Sequence, residues 1–173
     1  MTILVSACIL GDCCRYDGKN NYNETVARCM EGHKVIKICP ETYIGMPTPR
    51  KRVELVEMLP VDIDGEDVCL DYQFAADVAV GVAEEENIDL AILQSKSSMC
   101  GVNTIHDGFS EEIIEGEGLF AEELLVAGYR VMDVDDFNEK DFKMGVFKCK
   151  EVEWRKDDES LVWEEPEQQD WIL

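Results

Sequence analysis

Three apolar runs in this chain each empty into a turn that carries a cysteine. Thr2 to Ala7 leads into Cys8, Val35 to Ile38 into Cys39, and Leu90 to Leu93 into the polar, small-residue loop Gln94 to Gly101, which holds Cys100. Short runs without polar positions are what strands buried on both faces require. Between them lie two helical patterns. Asn23 to Cys29 has Asn23 as cap, Glu24 in its first turn and Gly32 beyond its end; Asp67 to Asn87 spaces Val68, Tyr72, Ala75, Ala76, Ala79, Val82 and Ala83 along one face. A helix from Leu119 to Ala127, stopped by Gly128, and a strand from Tyr129 to Val134 complete the pattern. The alternation predicts an α/β fold, a parallel sheet with helices on both faces. Ligands of such sheets bind outside the carboxyl ends of the strands, so Cys8, Cys39 and Cys100 point to one crevice.

The connecting segments are less regular. Pro40 to Pro49, with three prolines and a glycine, predicts a rigid non-repetitive stretch, and Gly65 to Val68 a turn. A fourth cysteine-bearing turn is Asp12-Cys13-Cys14-Arg15. A chain of 173 residues suffices for one core. We expect an α/β domain over residues 1–134 and an acidic appendage over 135–173, in which Trp154, Trp163 and Trp171 follow no period. A hairpin or helix packed through its tryptophans and a partner-binding tail are equally compatible with that segment.

The net charge of −22 excludes tight sequence-independent binding of nucleic acid unless the 16 basic residues cluster, and it suits a small neutral substrate. Solubility or adaptation to salt explains the same charge more simply. Charges interrupt every stretch long enough to span a membrane, and the amino terminus carries no leader pattern, so the expected setting is soluble and cytoplasmic. Eight cysteines in such a setting read as reduced thiols, not a disulfide framework.

Thiolates are soft ligands for zinc or iron–sulfur clusters. Neither a Cys-x-x-Cys pair nor a zinc-ribbon spacing is present; the nearest approach is the adjacent Cys13 and Cys14. Buried inert thiols are the alternative for any one of them, and the better reading for Cys29, Cys69 and Cys149, which fall on helix or sheet positions.

Five motifs in order carry a further signal: Val5-Ser6-Ala7-Cys8-Ile9-Leu10-Gly11, Cys14-Arg15-Tyr16-Asp17-Gly18, Cys39-Pro40-Glu41, Gly45-Met46-Pro47-Thr48-Pro49-Arg50 and Lys96-Ser97-Ser98-Met99-Cys100-Gly101. Together they resemble the thiouracil desulfurase family, over roughly residues 2–134. The resemblance implies a Rossmann-like, three-layer α/β/α fold with a mostly parallel sheet and a 4Fe-4S cluster. Cys8, Cys39 and Cys100 match the family's three ligands, Cys14 is a reserve ligand, and Cys13 lies outside the pattern. The implied reaction is non-redox removal of sulfur from a thiolated pyrimidine of the 2-thiouracil type, giving uracil and sulfide.

In that scheme an iron without a protein ligand accepts the sulfur, Glu41 is the acid/base and Ser97 passes protons or holds the substrate. Burial of Glu41 against an apolar wall would tune its proton affinity. Arg15, Tyr16 and Asp17 are candidate substrate contacts. Each has a plainer reading: Glu41 as a helix cap or surface acid, Ser97 as a turn residue holding backbone amides, Arg15 and Asp17 as a pair bracing a loop. Arg50 either offsets cluster charge or pairs with one of many acids. Two stretches depart from the family pattern: Ser97-Ser98-Met99-Cys100 where Ser-Pro-Ser-Cys is common, and His106-Asp107-Gly108 where Tyr-Asp-Gly is usual. Both bear on pocket polarity and substrate choice. A non-catalytic carrier of sulfur or of the cluster, and a structural zinc site, are the competing functions.

Overall fold

The structure is a computed structural model that describes residues 1–150. Four strands form one parallel sheet: β1 (Thr2–Ser6), β2 (Lys34–Ile38), β5 (Leu90–Leu93) and β8 (Val131–Asp133). Their spatial order is β2-β1-β5-β8, so the direction of winding reverses between β1 and β5. That reversal opens a crevice at the carboxyl ends of β1 and β5, where ligands of open α/β sheets bind.

Alternate residues of the central strands feed two separate cores. Leu4, Ala91 and Leu93 face α3 (Cys69–Glu85) and α4 (Leu119–Val126); Ile3, Val5, Leu90 and Ile92 face α1 (Glu24–Cys29) and α5 (Glu139–Lys143). All seven are fully enclosed, which is why these runs carry no polar position. Helix α3 buries Tyr72, Ala75, Ala76, Ala79 and Ala83, and its row of alanines lets α4 and the sheet approach closely. Asn23 caps α1 as the sequence predicts, its side chain accepting from the Val26 amide at 3.0 Å.

Three elements escape the sequence pattern. Pro40 to Pro49 is not wholly irregular: it opens with one helical turn, α2 (Pro40–Tyr43), because a proline at the first helical position costs no hydrogen bond. A hairpin of β3 (Val53–Val56) and β4 (Leu59–Asp62) turns at Glu57 and Met58, both at positive φ (50° and 68°), without the Asn-Gly or Asp-Gly signal such turns usually carry. Its inward-facing Glu54 also breaks the apolar alternation. The second hairpin, β6 (Thr104–His106) and β7 (Ile113–Glu115), turns through Asp107 and Gly108.

Residue 134, the expected domain boundary, falls inside a packed body. Beyond it Phe142 is buried, with ring centroids 5.2 Å from Phe137, 5.4 Å from Phe147 and 5.7 Å from His33, and the Lys150 amide donates to the Val131 carbonyl at 2.9 Å. Trp154, Trp163 and Trp171 lie outside the described residues. If residues 135–150 complete the α1 face of the core, Phe142→Ala lowers the free energy of unfolding by about 3–5 kcal/mol, measured by chemical denaturation. A loss below about 1 kcal/mol would make this segment a surface attachment.

Candidate active site

Each of the three strand-end cysteines is held by a different device. After β1 the chain makes a single 3-10 turn over Ala7–Leu10 that closes on Gly11 at φ 97°, leaving Cys8 buried at the sheet edge. Ser6 ties this end of β1 to β5, its Oγ accepting from the Gln94 amide at 3.1 Å. Cys39 occupies the cap position of α2, with Pro40 first in the helix and Glu41 in its first turn. Cys100 sits in a loop whose carbonyls satisfy the first amides of α4: Gly118 donates to Gly101, Leu119 to Ser98 and Phe120 to Met99, at 2.9, 3.1 and 2.9 Å. The approach is so close that a Cβ at Gly118 would lie 2.5 Å from the Met99 carbonyl carbon, 2.6 Å from the Ser97 oxygen and 2.8 Å from the Cys100 nitrogen. Gly101 is as constrained, facing the Thr104 oxygen at 2.6 Å.

These devices open onto one pocket of about 450 Å³, and Cys8, Cys14, Cys39 and Cys100 all line it. Cys14 comes from the loop after the 3-10 turn, and Cys39 Sγ lies 3.8 Å from its carbonyl oxygen. Cys13 is exposed and does not line the pocket; neither do Cys29, Cys69 and Cys149. All eight thiols are unpaired. Among the described residues no three His, Cys, Asp or Glu side chains surround a single point as ligands of one ion.

The environment of Cys14, Cys39 and Cys100 favours the protonated form. The hydrogen bond to Cys14, burial and the nearby Glu41 raise the Cys39 pKa, while burial and Glu41 raise that of Cys100. Cys14 is pulled down by its bond to Cys39 but pushed further up by Cys8 and burial, to about 11. A metal that binds here displaces protons.

Glu41 is buried, with Oε2 3.3 Å from Cys39 Sγ and Oε1 3.2 Å from an Arg50 guanidinium nitrogen. The apolar wall expected beside Glu41 is therefore a cation. Arg50 also donates to the Cys14 carbonyl at 2.8 Å and, through its backbone amide, to the Tyr16 carbonyl at 2.8 Å, so one side chain joins the Cys14 loop to the acid. Burial lowers its proton affinity, but Glu41 and Cys39 more than offset this and it stays charged. Ser97 lines the pocket while its Oγ accepts from the Cys100 and Met99 amides at 3.0 and 3.2 Å, leaving its hydroxyl proton to donate. Its turn role and its place at the site coexist.

Arg15 and Tyr16 line the pocket, whereas Asp17 does not. Asp17 instead braces Arg15, whose Nε lies 3.2 Å from Oδ1 and whose other arm donates to Asn21 at 2.6 Å. The bracing bond from Arg15 holds the Asp17 carboxyl below its usual range.

Several lining residues fall outside the candidate set read from the sequence: Arg52 just before β3, Glu54 on β3, Tyr72 on α3 and His106 on β6. They come from elements far from the cysteine motifs; His106 is marked only as a departure from the family pattern, and an acid amid the apolar residues of β3 hints at Glu54. Met99, which replaces a small residue of the family pattern, is fully buried in the core and leaves pocket polarity unaltered. His106 does line the pocket, so that departure bears on the site.

A model of the 2-thiouracil desulfurase family matches residues 3–136, a span that contains every pocket cysteine. The chain belongs to that family. An uncharacterised protein of Bacillus subtilis (strain 168), YbbK, is 34% identical over 148 residues, which is 79% of this chain and 98% of that protein. A solved structure described as the 4Fe-4S-dependent thiouracil desulfidase TudS superposes with a TM-score of 0.75 at 30% identity, covering 83% of this chain and 97% of the other. The desulfurase fold thus spans nearly the full length of both relatives.

The glycine contacts beneath Cys100 yield a direct test. Gly118→Ala should destabilise the cluster-free protein by about 1–3 kcal/mol in thermal denaturation, since the loop backbone must shift to admit a methyl group. An unchanged melting temperature would show that this loop yields freely.

Proposed function

We propose that Cys8, Cys39 and Cys100 hold a 4Fe-4S cluster in this pocket, with Glu41 as acid/base and Ser97 as hydrogen-bond donor to the reacting molecule. Membership of the family makes the chain an iron–sulfur-dependent enzyme that desulfurates thiouracil. The donor set suits the cofactor, because soft thiols reach one pocket from three irregular segments with backbone amides nearby. When bound, a cluster with one iron free of protein ligands supplies a thiophilic Lewis acid for the thiocarbonyl sulfur.

The remaining work belongs to side chains. Water adds through oxygen to the ring carbon, the carbon–sulfur bond breaks, and thiouracil plus water becomes uracil plus hydrogen sulfide without electron transfer. Glu41 takes the water proton and returns it to the departing sulfur; Arg50 fixes Oε1 so that Oε2 faces the thiol side. Ser97, its oxygen already anchored by two amides, directs its proton at the substrate. Arg15 and Tyr16 border the substrate space, and Arg50 offsets negative charge on the thiolates. The observation that carries this reading is Glu41 Oε2 at 3.3 Å from the sulfur of Cys39.

The same reading makes a small thiolated pyrimidine the substrate and leaves no role for a nucleic-acid polymer, which a chain of net charge −22 repels. Eight unpaired thiols suit the reducing cytoplasm, and among the described residues no helix is long and apolar enough to cross a membrane.

Anaerobic reconstitution should give brown protein with about four irons and four sulfides per chain. Cys8→Ser, Cys39→Ser and Cys100→Ser abolish retention of the cluster, while Cys14→Ser, Cys29→Ser and Cys149→Ser keep it. Loss of iron from Cys14→Ser would make Cys14 a ligand and close the free corner.

With 2-thiouracil and no reductant, the reconstituted protein releases uracil and sulfide in equal amounts. Glu41→Ala lowers turnover roughly 10²–10⁴-fold while iron content stays constant. Undiminished turnover would remove Glu41 from the reaction, and sulfide binding without any turnover in the parent protein would favour a carrier.

A further inference from the structure

Glu54 is 5% exposed, and only one of its two carboxylate oxygens is used. Arg52 Nε donates to Oε1 at 2.6 Å, whereas Oε2 is buried without any hydrogen-bond partner. On β6 the Nδ1 of His106 is likewise buried and unpartnered. Both residues line the same pocket as the thiols, and Arg52 lies close enough to each to act on its charge. The guanidinium of Arg52 is itself steadied by the Phe109 ring, 5.8 Å from its centroid. Buried polar atoms without partners are costly unless something fills them.

We infer that Glu54 Oε2 and His106 Nδ1 hold the amide edge of the pyrimidine, Oε2 accepting the ring N3–H and Nδ1 donating to the adjacent 4-oxo group. This inference rests on the desulfurase reading and adds to it the part of the substrate that is recognised. The chemistry is complementary. Burial raises the proton affinity of Glu54 and the pairing of Oε1 with Arg52 opposes it; the ionised carboxylate then presents Oε2 as an acceptor with no proton to donate. Burial, helped by Arg52 and Lys96, lowers the proton affinity of His106, so its imidazole is neutral and carries one N–H. An acceptor and a donor lining one pocket match the N–H and C=O of a lactam, and the C2 sulfur lies on the other side of N3.

The site is joined to the reacting groups by short links. Ser98, beside Ser97, donates to the Val53 carbonyl at 2.7 Å, fastening the Cys100 loop to the strand that carries Glu54. Tyr72 and Ser98 line the same pocket, and Glu41 and Glu54 raise the proton affinity of the Tyr72 phenol while Arg50 lowers it. Holding the N3–O4 edge here leaves N1 pointing away. The pocket therefore accepts N1-substituted thiouracils, the nucleoside form included, and rejects those blocked at N3.

The test uses the reconstituted full chain with 2-thiouracil, 1-methyl-2-thiouracil and 3-methyl-2-thiouracil. We expect kcat/KM for the 3-methyl compound to fall at least about 100-fold below that of the parent base, with the 1-methyl compound within about tenfold. Glu54→Gln keeps an oxygen for Arg52 but turns a donor toward N3–H; it should raise KM for 2-thiouracil at least about tenfold with little change in kcat, and narrow the gap to the 3-methyl compound. His106→Phe keeps the ring and deletes Nδ1, with the same KM signature.

Equal turnover of the 3-methyl compound, or unchanged KM in both variants, overturns the inference while leaving desulfuration intact. If no thiopyrimidine is turned over, the desulfurase reading fails, and the site is judged by calorimetry with uracil, which lacks sulfur. Binding that is lost in Glu54→Gln and His106→Phe upholds the edge contact; its absence in the parent protein sinks it.

Discussion

The site depends on the pairing of three neighbouring parallel strands. Strands β2, β1 and β5 run in one direction, about 4.8 Å apart, so whatever follows their last residues must share a small space. Each strand is followed by a cysteine-bearing turn, and the turns differ because each must stop its strand in a different context: a 3-10 turn closed by Gly11, a proline-initiated helical turn, and a loop clamped by Gly118 and Gly101. A slip of one residue would send the buried faces of the strands to the wrong cores and carry the cysteines out of reach.

Electrostatics inside the pocket differ from those of the surface. The molecule as a whole is strongly acidic, yet Arg50, Arg52, Arg15 and Lys96 all face the cavity. Arg50 and Arg52 each restrain one buried acid, Glu41 and Glu54, through one carboxylate oxygen. Each acid keeps its other oxygen for a different partner: that of Glu41 meets Cys39, and that of Glu54 meets nothing in the protein. The same device, an arginine fixing half of a carboxylate, thus recurs at both buried acids of one cavity.

Tyr72 and Ser98 lie between these two halves. A phenol buried near two acids and an arginine has its proton affinity raised by burial and by Glu41, so it stays neutral. The Cys100 loop is fixed on one side by α4 and on the other by β3, so Cys100 and Glu54 are positioned by the same few hydrogen bonds.

The sequence by itself carried the four strands of the parallel sheet, the helices over α1, α3 and α4, and the convergence of Cys8, Cys39 and Cys100, because apolar periodicity and the residue after each strand are local properties. The resemblance to the family also marked Glu41 and Ser97. It left open whether Asp17 touches the substrate or braces Arg15, and whether Met99 alters the pocket. Both depend on which way a side chain faces. Only the tertiary structure decided that Arg50 stands beside Glu41, that residues 135–150 close the core, and that Glu54 and Tyr72 line the pocket along with His106, which the family pattern had marked as a departure. Those residues come from two hairpins and a helix face, and the β3–β4 turn lacks the usual signal. Their meeting is set by packing between distant segments, and no short window of residues encodes it.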